Sequence, residues 1–396
     1  MKFLQPFFFI GCFVLLASCS NTTSKSHQII SIDNSKILDV KNVSNYIASI
    51  KIIPLIEDDK NHFASVFKVL ISHNKYLIYD RLNSNKILLF NADGSFNKLV
   101  CKVGDNVNYP LNMTDMWLTK DGDLEVYDYA QMEVIKFDSL FVRTSSFKSK
   151  KLNHFISLMN TGNGYVGYAN FSDYNSPFHD KFYSIAFLDD KLEINKVDQF
   201  FDKKLQGVLW PIYGQHFSKL GDSIRFIKSY DNIVYNIVDN MLFERYEIKY
   251  RYNNPPKDIF KIVKDSLELF KDRHISPNIR AELFKNYAML QGAWNETPQY
   301  ILIRSKDTSG LYGNPFVTLY NKGVNQEMFS ARKLVDTINY NMQLPNFIYY
   351  DNQSNEFISV VPGIELKKLL YPNSVFKNII SDSPYQFYVV KAKFII

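Results

Sequence analysis

One short pattern recurs along this chain. Tyr76-Leu77-Ile78-Tyr79-Asp80 is a run of β-branched and aromatic residues that ends on an acid. A polar turn follows, and then a second run, Ile87-Leu88-Leu89-Phe90-Asn91. Asp93-Gly94 marks a tight turn before a third run over residues 95–103. The next cycle repeats the order: Asp121-Gly122, then Leu124-Glu125-Val126-Tyr127-Asp128, a turn, and Val134-Ile135-Lys136-Phe137-Asp138. Asp-Gly between such runs is a strong hairpin cue, because the glycine takes the positive φ that the turn needs. The 32 Phe and 26 Tyr suit these runs, since large rings pack well on a pleated, half-buried surface.

Weaker cycles continue. Residues 165–169 precede 183–188, and 224–227 precede 233–238, which lead into 243–250. Residues 300–304 precede 316–321, and 346–351 precede 357–361. Six cycles over roughly 350 residues predict an all-β fold, a β-propeller of six blades. The runs at 50–56 and 387–396 are expected to pair in the last blade, which would remove an open sheet edge. One segment departs from the pattern. Ile259, Ile262, Val263, Leu267 and Phe270 share a helical face, and Ser276-Pro277 reads as an N-cap with proline at the first helical position. A two-helix insertion is expected over 257–290.

The start of the chain reads as a lipoprotein signal. Lys2 is followed by a mostly apolar stretch to Leu16, too short to span a bilayer comfortably. Leu16-Ala17-Ser18-Cys19 resembles the bacterial lipobox, in which the cysteine receives a diacylglyceryl thioether and cleavage falls just before it. The expected organisation is a signal peptide at 1–18, lipidated Cys19 with a polar tether to 45, and a propeller domain over 46–396. Cys12 would leave with the signal peptide, which makes Cys101 the lone thiol, read as a small buried hydrophobe. Acyl chains would give stable membrane attachment. Ser20-Asn21 after the cysteine favours the outer membrane facing the periplasm, with the cell surface as the alternative.

The formal net charge is +6, but acids and bases are interspersed and no basic patch interleaves with aromatics. Nucleic acid is therefore not expected as a partner.

The segments Ile52-Ile53-Pro54-Leu55, Tyr79-Asp80, Phe90-Asn91-Ala92-Asp93-Gly94-Ser95-Phe96 and Gly104 together resemble the six-bladed β-propeller lipoproteins of gut anaerobic bacteria. The likeness is densest over 50–140. It implies a propeller and an envelope location, and no particular activity. The chain departs from that pattern where Asp105-Asn106-Val107-Asn108-Tyr109 replaces a Gly-Pro-Gly-Glu-Tyr ending, and where Ile56 stands in place of a glutamate.

No catalytic motif survives inspection. Gly221-Asp222-Ser223-Ile224 resembles the nucleophile block of GDSL-type esterases, but no Asp-x-x-His follows it, so it reads as a hairpin turn. The seven histidines are dispersed, no metal-ligand spacing occurs, and no cofactor is expected. Trp117, Trp210, Trp294 and Tyr109 are the candidate ligand-binding residues, because amphipathic rings make stacking platforms for sugars or partner chains. The leading expectation is an anchored binding or scaffold module for a glycan, a peptide or an envelope protein. Two alternatives stand beside it: a carbohydrate-active hydrolase or lyase with its site in the central funnel, and an accessory subunit of an outer-membrane nutrient-uptake system.

Overall fold

A computed structural model describes residues 27–395, apart from 57–61, 63, 82–83, 105–109, 172–181, 202, 206–214, 229–230, 257–258, 260, 263–264, 266–283, 293, 308–312, 382 and 384. Its strands form six sheets. The innermost strands of successive sheets adjoin around one axis, so the sheets are blades of a propeller.

Blade one runs outward through Lys68–Ser72, Lys75–Asp80, Lys86–Phe90 and Phe96–Lys102. Blade two follows with Met113–Leu118, Leu124–Asp128, Glu133–Phe137 and Arg143–Lys148, and blade three with Ser157–Asn160, Tyr165–Tyr168, Phe182–Leu188 and Ile194–Phe201. Blade four holds Phe217–Leu220, Ser223–Ile227, Ile233–Val238 and Met241–Tyr250. Blade five places Met289–Leu290 and Asn295–Glu296 against Tyr300–Lys306, then Pro315–Asn321 and Gln326–Asp336. Blade six is Tyr349–Asp351, Glu356–Pro362, Phe387–Phe394 and, outermost, Ile47–Leu55.

The closure expected from the two terminal runs is present. Ile47–Leu55 pairs antiparallel with Phe387–Phe394, from Leu55 opposite Phe387 to Ile47 opposite Phe394. Gly94 explains why the Asp-Gly turn of blade one tolerates no side chain. Its φ is +85°, and a Cβ there would lie 2.0 Å from the Pro54 carbonyl oxygen. The Gly94 carbonyl instead accepts from the Ile56 amide at 2.8 Å, which joins the end of the closing strand to the first blade. Gly221 and Asp222 form the expected hairpin turn between Phe217–Leu220 and Ser223–Ile227.

The polar segment read as a tether is structured over much of its length. Gln28–Ile32 adds parallel to the outer strand of blade four, and Leu38–Asn42 adds parallel to that of blade five. The physical reason is burial. Ile30 and Ile32 are 0% and 1% exposed inside the apolar cluster between blades four and five. Short polar flanks masked that alternation in the sequence. The N-terminal chain therefore runs across the outer edges of blades four, five and six in turn, covering groups that would otherwise be open for pairing. Of the expected helical insertion, Ile259, Lys261, Ile262, Asp265 and Phe284 are helical, and most of the rest lies outside the described residues. Its expected end falls instead on the inner strand Met289–Leu290 of blade five.

The core is distributed between the blades. Separate apolar clusters fill the spaces between blades one and two, four and five, five and six, and six and one, while a larger one spans blades two to four. Cys101 is buried and unbonded in the first of these, and burial raises its thiol pKa to about 12. The repeated Tyr-Asp pair has a repeated job. Tyr79 and Tyr127 donate their hydroxyls to the carbonyls of Met113 and Leu152 in the following stretch of chain. Asp80 accepts from Ala64 N, Ser65 and Ser84, and Asp128 from the amides of Leu111, Asn112 and Gln131. Each aspartate thus gathers the loop that leads into its blade and the turn that leaves its second strand.

Candidate functional site

Among the described residues, one cavity lies on the axis of the propeller and another between blades five and six. The first is on the axis and small, about 90 Å³, with walls from every blade: Lys68, Trp117, Met159, Phe217, Glu296 and Tyr349 are among its lining residues. Glu296 is the carboxylate on its wall, and Asp115 and Glu125 bond to the lining residues Lys68 and Trp117 from behind it. Asp115 Oδ1 accepts from Lys68 Nζ at 2.7 Å, and its Oδ2 from Ser157 Oγ at 2.5 Å, which ties blades one, two and three together. Glu125 accepts from Trp117 Nε1 at 2.7 Å, Lys136 Nζ at 2.9 Å, Asn160 Nδ2 at 3.0 Å and the Tyr165 hydroxyl at 3.1 Å.

Glu296 accepts from Arg225 Nε at 2.8 Å, the Tyr246 hydroxyl at 2.8 Å, Lys322 Nζ at 2.9 Å and Trp294 Nε1 at 3.0 Å. Burial alone would raise the Glu296 pKa, but the hydrogen bonds and charges of Arg225, Trp294 and Lys322 outweigh it and hold the group at about 2. Held in this way, Glu296 is a fixed anion that knits blades four and five. Among the described residues, no group of three or more His, Cys, Asp or Glu side chains is placed to hold a metal ion.

Trp117 and Trp294, read from sequence as stacking platforms, both line this axial cavity. Trp117 lies within the inner strand of blade two and is 1% exposed; Trp294 is 5% exposed and stacks on Tyr246 with ring centres 5.5 Å apart. Their indole N–H groups are bonded to Glu125 and Glu296, which fixes the orientation of both rings at the cavity wall. Trp210, Tyr109 and Cys19 lie outside the described residues.

The second cavity is larger, about 350 Å³, and opens between blades five and six. That volume falls within the usual range for small-molecule sites, roughly 300–1,000 Å³. Apolar walls come from Leu302, Val317 and Phe347, and polar groups from Arg304, Gln343 and Ser359. Leu302 and Arg304 are two residues apart on one strand, so both side chains point to the same face, toward blade six. Arg304 is half-buried, and among the described residues its enclosed Nε has no hydrogen-bond partner. Burial lowers its pKa, and no carboxylate offsets the shift. Arg332, at the same cavity, is engaged with Asp307 at 2.7 Å.

Sequence reasoning passed over Arg304. A signal was present, because the run Tyr300-Ile301-Leu302-Ile303-Arg304 puts a charge on an alternating face that is otherwise apolar. What faces that charge could not be read, since blade six lies more than forty residues further along the chain.

Comparison with known proteins agrees with the geometry. A family model described as a 6-bladed beta-propeller matches residues 18–359. Among curated proteins none matches the sequence. Among solved structures, a Bacteroides fragilis protein described as exported is similar at 13% identity and a TM-score of 0.70, covering 92% of this chain and 99% of that one. A Bacteroides vulgatus protein is similar at 9% identity and a TM-score of 0.49, covering 89% and 98%.

Proposed function

This chain belongs to the 6-bladed β-propeller family, and from that premise we propose that it is a lipid-anchored, extracytoplasmic binding module that takes a small ligand in the cleft between blades five and six. The observation that carries the reading is the contrast between the two cavities. At the axial cavity, Glu296 on the wall and Asp115 and Glu125 behind it are each engaged by cations and donors that hold the blades together. Between blades five and six, a cavity of about 350 Å³ combines apolar walls with a few polar groups on rigid strands. That composition suits recognition, because apolar surface supplies affinity and sparse polar groups fix orientation.

The anchor follows from Cys19. Since Gln28–Ile32 is bound to blade four, only residues 20–27 separate the cysteine from the first strand. Eight residues reach at most about 30 Å when fully extended. The propeller would be held close to its membrane, with the outer edge of blade four nearest the anchor. The similar Bacteroides fragilis protein, described as exported, supports a location outside the cytoplasm.

Two measurements test this. Cys19→Ala should shift the chain from the membrane to the soluble envelope fraction; unchanged membrane retention overturns the anchor. A thermal-shift screen of the full chain against neutral and acidic mono- and disaccharides and dipeptides should find a stabilising class. A ligand at about 100 times its Kd adds roughly 2.7 kcal/mol. No stabilisation by any member of the panel overturns the small-ligand reading.

A further inference from the structure

Resting on the reading of the inter-blade cleft as a ligand site, we propose that its ligand carries a carboxylate, bound by the guanidinium of Arg304. An arginine withdrawn from water without a counter-ion is unfavourable, and proteins ordinarily resolve this by pairing the charge. Arg304 is not resolved in that way. Its enclosed Nε has no partner among the described residues, while the neighbouring cation Arg332 is already held by Asp307. The acid on the cavity wall, Glu365, is exposed and paired with Lys368 at 2.7 Å.

The surroundings fit an anion that arrives with a polar body. Gly292 has φ +75°, and a Cβ there would lie 3.5 Å from Arg304 Cδ and 3.8 Å from its Nη1, so the glycine keeps a side chain off that flank of the arginine. Gln343 lines the same cavity and can meet hydroxyl or amide groups, and Ser359, whose hydroxyl donates to the Asn346 carbonyl at 2.8 Å, can only accept; Phe347 and Leu302 are apolar walls. The planar fork of a guanidinium matches the two oxygens of a carboxylate, which gives direction as well as charge. A volume of about 350 Å³ suits one or two sugar rings or a dipeptide. Either source presents the same group, as a uronic acid or as a peptide C-terminus.

The test uses the full chain in detergent, titrated calorimetrically with D-glucuronate, glycylglycine, inorganic phosphate and D-glucose. Saturable binding of glucuronate or glycylglycine is expected. Arg304→Gln should weaken it at least tenfold, and Arg304→Lys should weaken it less. Which carboxylate binds identifies the source. Without ligand, Arg304→Gln should melt no lower than the parent protein, because it removes an uncompensated charge. A melting point several degrees lower would show that Arg304 serves the fold and overturns the proposal. Tighter binding of phosphate than of both carboxylates overturns the carboxylate assignment. Equal glucose binding by the parent and Arg304→Gln, with no carboxylate binding, leaves the cleft a ligand site and overturns the role of Arg304. No binding by any probe overturns both.

Discussion

Arg225 of blade four and Glu296 of blade five form a two-pronged ion pair, with Nε–Oε2 at 2.8 Å and Nη2–Oε1 at 3.3 Å. Both side chains are almost wholly buried, at 7% and 2% exposure. Removing Glu296 would strand a buried cation and orphan the Trp294, Tyr246 and Lys322 donors. Glu296→Ala should therefore lower unfolding stability by about 3–5 kcal/mol. The pair Arg225→Met with Glu296→Leu should cost less than the sum of the two single changes, because Arg225 no longer remains as a buried cation without its carboxylate. Urea denaturation of the parent, the three single variants and the double variant checks both statements, and additive losses would refute the coupling.

Ile30 separates a structural strand from a tether. It is fully buried between blades four and five, whereas Leu38 is 45% exposed. Ile30→Ala should cost about 2–5 kcal/mol. Leu38→Ala should stay within about 0.5 kcal/mol. Equal and negligible effects would mean that the N-terminal segment is not part of the sheet.

Gly94 should be intolerant of a side chain. Gly94→Ala must resolve a 2.0 Å approach to Pro54 as well as a positive φ. Gly162 also has a positive φ, +89°, but a Cβ there meets nothing within 4 Å. Gly162→Ala should show only the strain of a left-handed residue, about 1–2 kcal/mol, and Gly94→Ala more. Amide exchange should quicken over Ile47–Leu55 in Gly94→Ala alone.

Acid should weaken the fold through buried neutral histidines. Burial lowers the pKa of His154 to about 4 and also lowers that of His216. Between about pH 6.5, where an unfolded histidine titrates, and pH 4, the unfolded chain binds more protons than the folded one. Stability is therefore lost as the pH falls through that window. His154→Gln should flatten the melting-point profile between pH 6.5 and 4, and an unchanged slope would exclude this source.

The sequence alone determined the local half of this protein. Alternating aromatic runs and Asp-Gly turns located the second and third strands of blades one and two, because strand pattern and turn chemistry act between residues close in the chain. The same signals foresaw the six-bladed architecture and the pairing of the two terminal runs. Tertiary structure decided the rest. Inner strands such as Met113–Leu118 carry mixed polar residues, since they face an axis built by all six blades. Gln28–Ile32 reads as linker until blade four supplies its partner 218 residues away, Tyr246 opposite Gln28. Trp117 and Trp294 stood out in the sequence as large rings, and only the fold brings both to the axial cavity with their N–H groups on Glu125 and Glu296. Arg304 stood as one charge among many until blade six closed over it. Burial and pairing are properties of residues brought together across the fold, and no local pattern encodes which residue will stand opposite.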